Sequence, residues 1–387
     1  MKLRLLHIIF CLLLLAPVQA QDTPQVNRDA EDFVTASLMV AASGDVLYSV
    51  GGHACIRLQC PTFNMDYCFS YESESVPDKI GRFLMGDLKM GMFAIPTQEY
   101  LKSYANTQRG VWEYEMNLPI AIKRELWRTM DNKIAEGVNL SYDFIQRGCA
   151  ISCLNCVEDA LDTIIPIHYG PWDKKFTKQT IREICYNNYP HGWNPFICMT
   201  LIGNDIDAQL SPKEKLVTPC DLVMVWQQAT VCGQPLLKEG VQILPNTPRK
   251  MHLISPFIAA LILLILAVIS LFWNKPYMDW LHLGLQTAMG LLITYLVIFS
   301  SLPGTEWNWL IIPFNPLPLI LWHWRTKWSL PYAALLLCWC IGMLLSPHRL
   351  VTTAHLLWVI SFILVIIKQS VWWQNTIAKL WLKYHQH

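Results

Sequence analysis

Charge is scarce in this chain: only 15% of its 387 residues are Asp, Glu, Lys or Arg, and the formal net charge is +1. That balance lacks the basic field on which nucleic-acid binding depends, so nucleic acid is not an expected partner. Other signatures are missing as well. No Gly-x-Ser-x-Gly elbow marks a serine hydrolase, and no glycine-rich phosphate loop marks a nucleotide enzyme. Cys153-Leu-Asn-Cys156 has no second cysteine pair close by, which leaves a zinc site short of ligands. No internal repeat or low-complexity stretch interrupts the chain.

In place of charge there is apolar sequence, 53% of the chain, and it is unevenly spread. Residues 1–20 read as a secretory signal peptide: Lys2 and Arg4 open it, His7 to Leu15 form a short apolar run, and Val18-Gln19-Ala20 is a small-residue cleavage site before Gln21. Residues 21–250 have mixed composition and are expected to form an exported globular domain, ending in a linker with Gly240, Pro245 and Pro248. Residues 251–387 carry apolar runs at 253–273, 280–300, 307–322, 328–345 and 350–367. The third is short and broken by Pro313, Pro316 and Pro318. Charge placement favours five crossings: Lys275, Arg325, Lys327, Lys368, Lys379 and Lys383 then face the cytoplasm, and only Arg349 faces out. Trp273, Trp280, Trp307, Trp322, Trp328 and Trp372 sit near run ends, as an interfacial belt would.

Within the exported part, Val46 to Val50 reads as a strand after a Gly44-Asp45 turn. His53 to Gln59 and Met65 to Tyr71 alternate as the arms of an antiparallel hairpin around Cys60-Pro61. Helical spacing appears at Gln98 to Asn106, at Ile120 to Glu136 and at Ala150 to Ile164. Ten cysteines remain outside the signal and the apolar runs, an even count that reads as a disulfide framework after export. Cys185 with Cys198, or Cys220 with Cys232, are candidate pairs, though spacing does not fix the connectivity.

Two residues could carry chemistry together. Cys149 follows Gly148 at the start of a helix, where the positive end of the helix dipole favours thiolate. The competing reading is a disulfided or merely buried cysteine. His53 opens a strand beside Gly51, Gly52 and Ala54, small neighbours that leave its ring open to a cleft. An imidazole there can take the thiol proton and later return it to a leaving group. His168 and His191, in proline-rich loops, look ordinary. Histidine before cysteine is the order of a permuted papain-type site. A third group should orient the ring; Asp66, Ser70 and Glu72 share one face of the adjoining strand, and Asp66 is the choice made here. Cys153 and Cys156 lie on the same helical face as Cys149, and Cys153 is the fallback nucleophile.

The run Leu47-Tyr48-Ser49, Gly52-His53-Ala54 and Arg57 resembles the N-terminal periplasmic domain of the Lnb family. So do Phe69-Ser-Tyr71, Phe83, Gly86-Asp-Leu88, Tyr100, Tyr104, Arg109, Trp112-Glu113, Leu118 and Tyr142-Asp-Phe144 with Cys149, over residues 30 to 235. One departure is Gly148, where many relatives carry Asn. The resemblance implies a lipoprotein N-acyltransferase of the Gram-negative inner membrane. Its fold would be a permuted papain-like α+β periplasmic domain followed by an all-α transmembrane bundle with a cytoplasmic C-terminus. It further implies Cys149 as nucleophile, His53 as base, a phospholipid acyl donor, a diacylated lipoprotein acceptor, and no cofactor or metal. The alternatives are a membrane-tethered cysteine hydrolase of the cell-wall amidase kind and a non-enzymatic, disulfide-bonded sensor or assembly protein.

Overall fold

The computed structural model describes residues 34–161, 165–171, 176, 178–189, 192–208, 210–247, 254–273 and 276–376. Residues 1–20, expected above to be a signal peptide, and His191, Lys275, Lys379 and Lys383 lie outside the described residues. The N-terminal part is built on a seven-stranded antiparallel sheet. Its strands are β1 (Thr35–Ala41), β2 (His53–Cys60), β3 (Met65–Ser73), β4 (Lys89–Pro96), β5 (Val111–Glu115), β6 (Leu140–Ser141) and the last, Val241–Leu244, which adds to β5 at one edge.

Central strand β2 pairs with β1 on one side and β3 on the other, so both of its edges are hydrogen-bonded. Its even-numbered residues Ala54, Ile56 and Leu58 join Leu38 and Val40 against Leu126 and Met130 of α3 (Ile120–Ala135) and Leu154 and Val157 of α4 (Cys149–Leu161). Its odd face puts Cys55 with Cys68 and Met39 under Tyr100 and Tyr104 of α2 (Thr97–Asn106). Helix α1 (Ile80–Met85) precedes β4. The expected hairpin and helices are therefore present, and the hairpin turns through Pro61–Phe63 with Asn64 at φ 52°.

Val46 to Val50 is not a strand. Ser49 N–H donates to Val46 O, and Leu47–Ser49 is a single 3-10 turn. Strands β1 and β2 are direct neighbours, so the chain between them must reverse and cannot extend. Gly52, at φ +85°, completes that reversal; a Cβ there would lie 2.9 Å from Ala41 O.

The C-terminal part is helical. Two of its helices are long and apolar enough to cross a membrane, Pro276–Phe299 and Trp322–Leu345. Shorter apolar helices Pro256–Phe272 and Thr353–Lys368 pack with them. Exposed Leu261, Ile265, Leu291, Ile298, Leu335 and Leu344 give the bundle an apolar exterior. Residues 309–324 break into short turns, as their prolines require. Buried Gln286 receives that irregular backbone, its Nε2 donating to Pro313 O (2.9 Å) and Asn315 O (2.7 Å).

The two parts are joined through side chains and backbone. Phe196, in the helix Trp193–Leu201, stacks on His355 of the bundle at 4.3 Å, and Thr200 Oγ1 lies 2.8 Å from His355 Nε2. Gly203 N–H donates to Gly304 O, and Asn204 N–H to Glu306 O.

Candidate active site

Cys149 and His53, far apart in sequence, meet at one end of the sheet. His53 is the first residue of β2, and Cys149 begins α4, which packs on that strand. Asp143 Oδ1 accepts the N–H groups of Ile145 and Gln146, tightening the turn that leads into α4. Gly148 then passes so close to Phe144 O that a Cβ would sit 2.7 Å from it. The first N–H groups of a helix lack partners within it, and such groups can stabilise a developing oxyanion.

The ring of His53 has two occupied sides. Its Nε2 lies 2.7 Å from Ser70 Oγ, and Ser70 O–H donates to Glu72 Oε1, also at 2.7 Å. A hydroxyl that gives its proton to a carboxylate must accept from the ring, so Nε2 carries hydrogen and Nδ1 is left as the base. Glu72 Oε1 is itself 3.4 Å from Nε2. The Cys149 thiol interacts with the His53 ring and with the Ala54 N–H.

Electrostatics reinforce this geometry. Burial alone would push the Cys149 thiol up, but His53 and the Ala54 N–H pull it below its ordinary value. Burial also works to lower His53; Tyr104, Glu72 and Cys149 outweigh it and hold the imidazole well above its usual value. Glu72 stays below the usual carboxylate range, because His53, Ser70 and Arg109 overcome its burial. The arrangement favours a thiolate beside an imidazolium.

Asp66 is elsewhere. Arg57 grips it with Nη2 at 2.6 Å and Nε at 2.8 Å, and Thr97 Oγ1 donates to it at 2.6 Å. It sits six residues from Glu72 on β3, about 20 Å along an extended strand. The sequence placed Asp66, Ser70 and Glu72 on one face; position along the strand selects Glu72 with Ser70 between. Cys153 is also excluded from the cleft. It packs in the core with Leu154 and Cys156, and burial pushes its thiol well up and that of Cys156 to about 12. The candidate disulfides do not form either: Cys185, Cys198 and Cys232 are free thiols. Cys185 and Cys198 instead pack beside Tyr189 in an apolar cluster that walls the cleft.

Sequence reasoning did not foresee the far wall. Cys149 and His53 open into a cavity of about 330 Å³ whose other side is Leu296, Leu302, Gly304 and Thr305 of the helical part. Tyr104 and Arg109 complete the near side, the guanidinium 4.6 Å from the Tyr104 ring centre with its Nε bonded to Ala42 O. Residues 22–178 match the family model described as the Lnb N-terminal periplasmic domain, a span that contains both His53 and Cys149. No curated protein and no solved structure matches the chain.

Proposed function

We propose, from a chain whose residues 22–178 belong to the Lnb N-terminal periplasmic domain family, a lipoprotein N-acyltransferase with a papain-like Cys-His centre. His53 Nδ1 takes the Cys149 proton, and the thiolate attacks the carbonyl carbon of a phospholipid acyl ester. The N–H groups at the start of α4 stabilise the tetrahedral oxyanion. Collapse breaks the ester C–O bond, and the imidazolium protonates the departing lysophospholipid alkoxide. The α-amino group of a diacylglyceryl-cysteine then attacks the thioester and gives its proton to His53. Cys149 is released and the lipoprotein is N-acylated.

One observation carries this reading over a cell-wall hydrolase on the same scaffold: the Cys149 cavity is walled by Leu296 of the long apolar helix Pro276–Phe299, by Leu302 just beyond it, and by apolar side chains such as Leu201 and Ile202. A lipid ester suits such a wall better than a peptidoglycan stem. The free thiol at Cys149 speaks against the disulfide-bonded sensor.

Five crossings place both substrates at the depth of the thiol and raise their effective concentration. Arg349 lies on the exported domain's side, 4.6 Å from the Tyr186 ring centre, whereas Arg325 and Lys368 gather around Gln369 and Asp279 at the opposite end. That division of charge supports the positive-inside orientation. The broken segment 309–324 is the third crossing, its backbone buried against Gln286 as irregular backbone at membrane depth must be.

Mass spectrometry of lipoprotein N-termini tests the function. In cells with no redundant enzyme, Cys149→Ser and His53→Ala leave the N-termini unacylated, and Cys153→Ser leaves them acylated. Full acylation in the Cys149→Ser cells would reject the proposal.

A further inference from the structure

The cavity mouth has two apolar lips, and neither takes part in the chemistry described above. One is helix α1. Its Phe83 and Leu84 line the cavity, while Ile80 and Met85 are each 53% exposed. Its charged side chains turn away to ion pairs, Lys79 and Arg82 with Glu74 and Arg82 with Asp87. The other lip is the 3-10 turn Leu47–Ser49, where Tyr48 lines the cavity mouth and is 51% exposed, with Val46 beside it at 46%.

Both lips are fastened to the bundle. Ser301, just past the helix Pro276–Phe299, gives its N–H (3.0 Å) and its hydroxyl (2.9 Å) to Met85 O. Gly86 meets Leu302 N so closely that a Cβ would lie 2.3 Å away, so backbone abuts backbone there. On the other side, Asn194 donates to Asp45 O, and Asn194 belongs to the helix whose Phe196 stacks on His355. Met85 is therefore held at the end of the helix that carries Ile298 and Phe299, which are 62% and 66% exposed.

We infer that helix α1 and the 46–49 turn insert into the outer-leaflet interface of the bilayer and form the entry through which a lipid reaches Cys149. The occupant is the bilayer itself: helix α1 is hydrogen-bonded to the end of the apolar helix Pro276–Phe299, and the lips expose Ile80, Met85 and Val46 together with Tyr48, which is interfacial in character. This inference rests on the membrane-facing reading of the cleft and names its door.

The test uses the full-length protein with Cys149→Ala, so that turnover is irrelevant to the readout. Photoreactive benzoylphenylalanine is placed at Ile80, Met85 or Tyr48, and at exposed Phe63 at the far end of the hairpin as reference. In nanodiscs of phosphatidylethanolamine and phosphatidylglycerol, the three lip positions are expected to yield phospholipid adducts and Phe63 none. Adducts no more frequent at the lips than at Phe63, or adducts to protein in their place, overturn the inference even if the chain acylates lipoproteins. In the active protein, paired Ile80→Asp and Met85→Asp are expected to slow acyl transfer from bilayer lipid about tenfold or more. Alkylation of Cys149 by a water-soluble reagent should stay at the unsubstituted rate; unslowed acyl transfer would likewise sink the proposal.

Discussion

His53 can act as a base through only one nitrogen, because the Ser70–Glu72 relay occupies the other. That fixes what a pH profile should show. In the proposed mechanism the working pair is thiolate with imidazolium; it is lost at low pH when Cys149 is protonated and at high pH when His53 loses its proton. Cys149 is lowered and His53 raised, so the acid limb of kcat/KM lies below the ordinary thiol range and the alkaline limb above the ordinary imidazole range. In Glu72→Gln the imidazolium loses a neighbouring negative charge, His53 drops toward its usual value, and the alkaline limb moves to lower pH. Asp66→Asn should leave that limb in place, since Asp66 serves Arg57. An unmoved limb in Glu72→Gln would assign the raised His53 to another neighbour. The residue types at this site were legible in the sequence, down to the strand face, but strand alternation alone cannot say which of three carboxylate or hydroxyl groups on one face stands opposite His53.

At the scale of elements, the site depends on how α4 meets the sheet. Leu154 and Val157 bury fully against Ile56 and Leu58, and that seam sets where the helix begins. Gly148→Ala puts a methyl 2.7 Å from Phe144 O, and the first turn must back away. A displacement of about 1 Å at a reacting centre costs on the order of 100-fold in rate. Acyl-transfer kinetics of Gly148→Ala should therefore fall to that extent while thermal unfolding in detergent shows a folded protein; an unchanged rate would mean the close approach does not position the thiol. Helices and the β2–β3 hairpin were readable from periodicity because each buries a regular face. The turn at 46–50 was not: its five residues have strand composition, and only the adjacency of β1 and β2 forces them to reverse.

For the whole molecule, the bundle is tied at its far end by a buried ion pair. Lys368 Nζ lies 2.9 and 3.0 Å from the two oxygens of Asp279, both side chains are under 10% exposed, and Gln369 adds a third bond. Removing one partner strands the other charge, a loss of about 3–5 kcal/mol, whereas removing both together costs far less. Thermal unfolding in detergent should show Asp279→Leu and Lys368→Met each severely destabilised and the double substitution close to the parent. If the double substitution is as weak as the singles, the pair does more than neutralise itself.

The sequence by itself determined the chemistry available: a thiol at a helix start, a histidine at a strand start, and apolar runs bounded by tryptophan and cationic residues. These are local properties, written in period, spacing and composition. Tertiary structure alone decided that Glu72 rather than Asp66 serves His53, that Cys153 is core, and that the cavity closes on Leu296 and Leu302. Each of those outcomes is a contact between segments distant in the chain, set by sheet register and by the docking of one layer on another, and no local pattern encodes it.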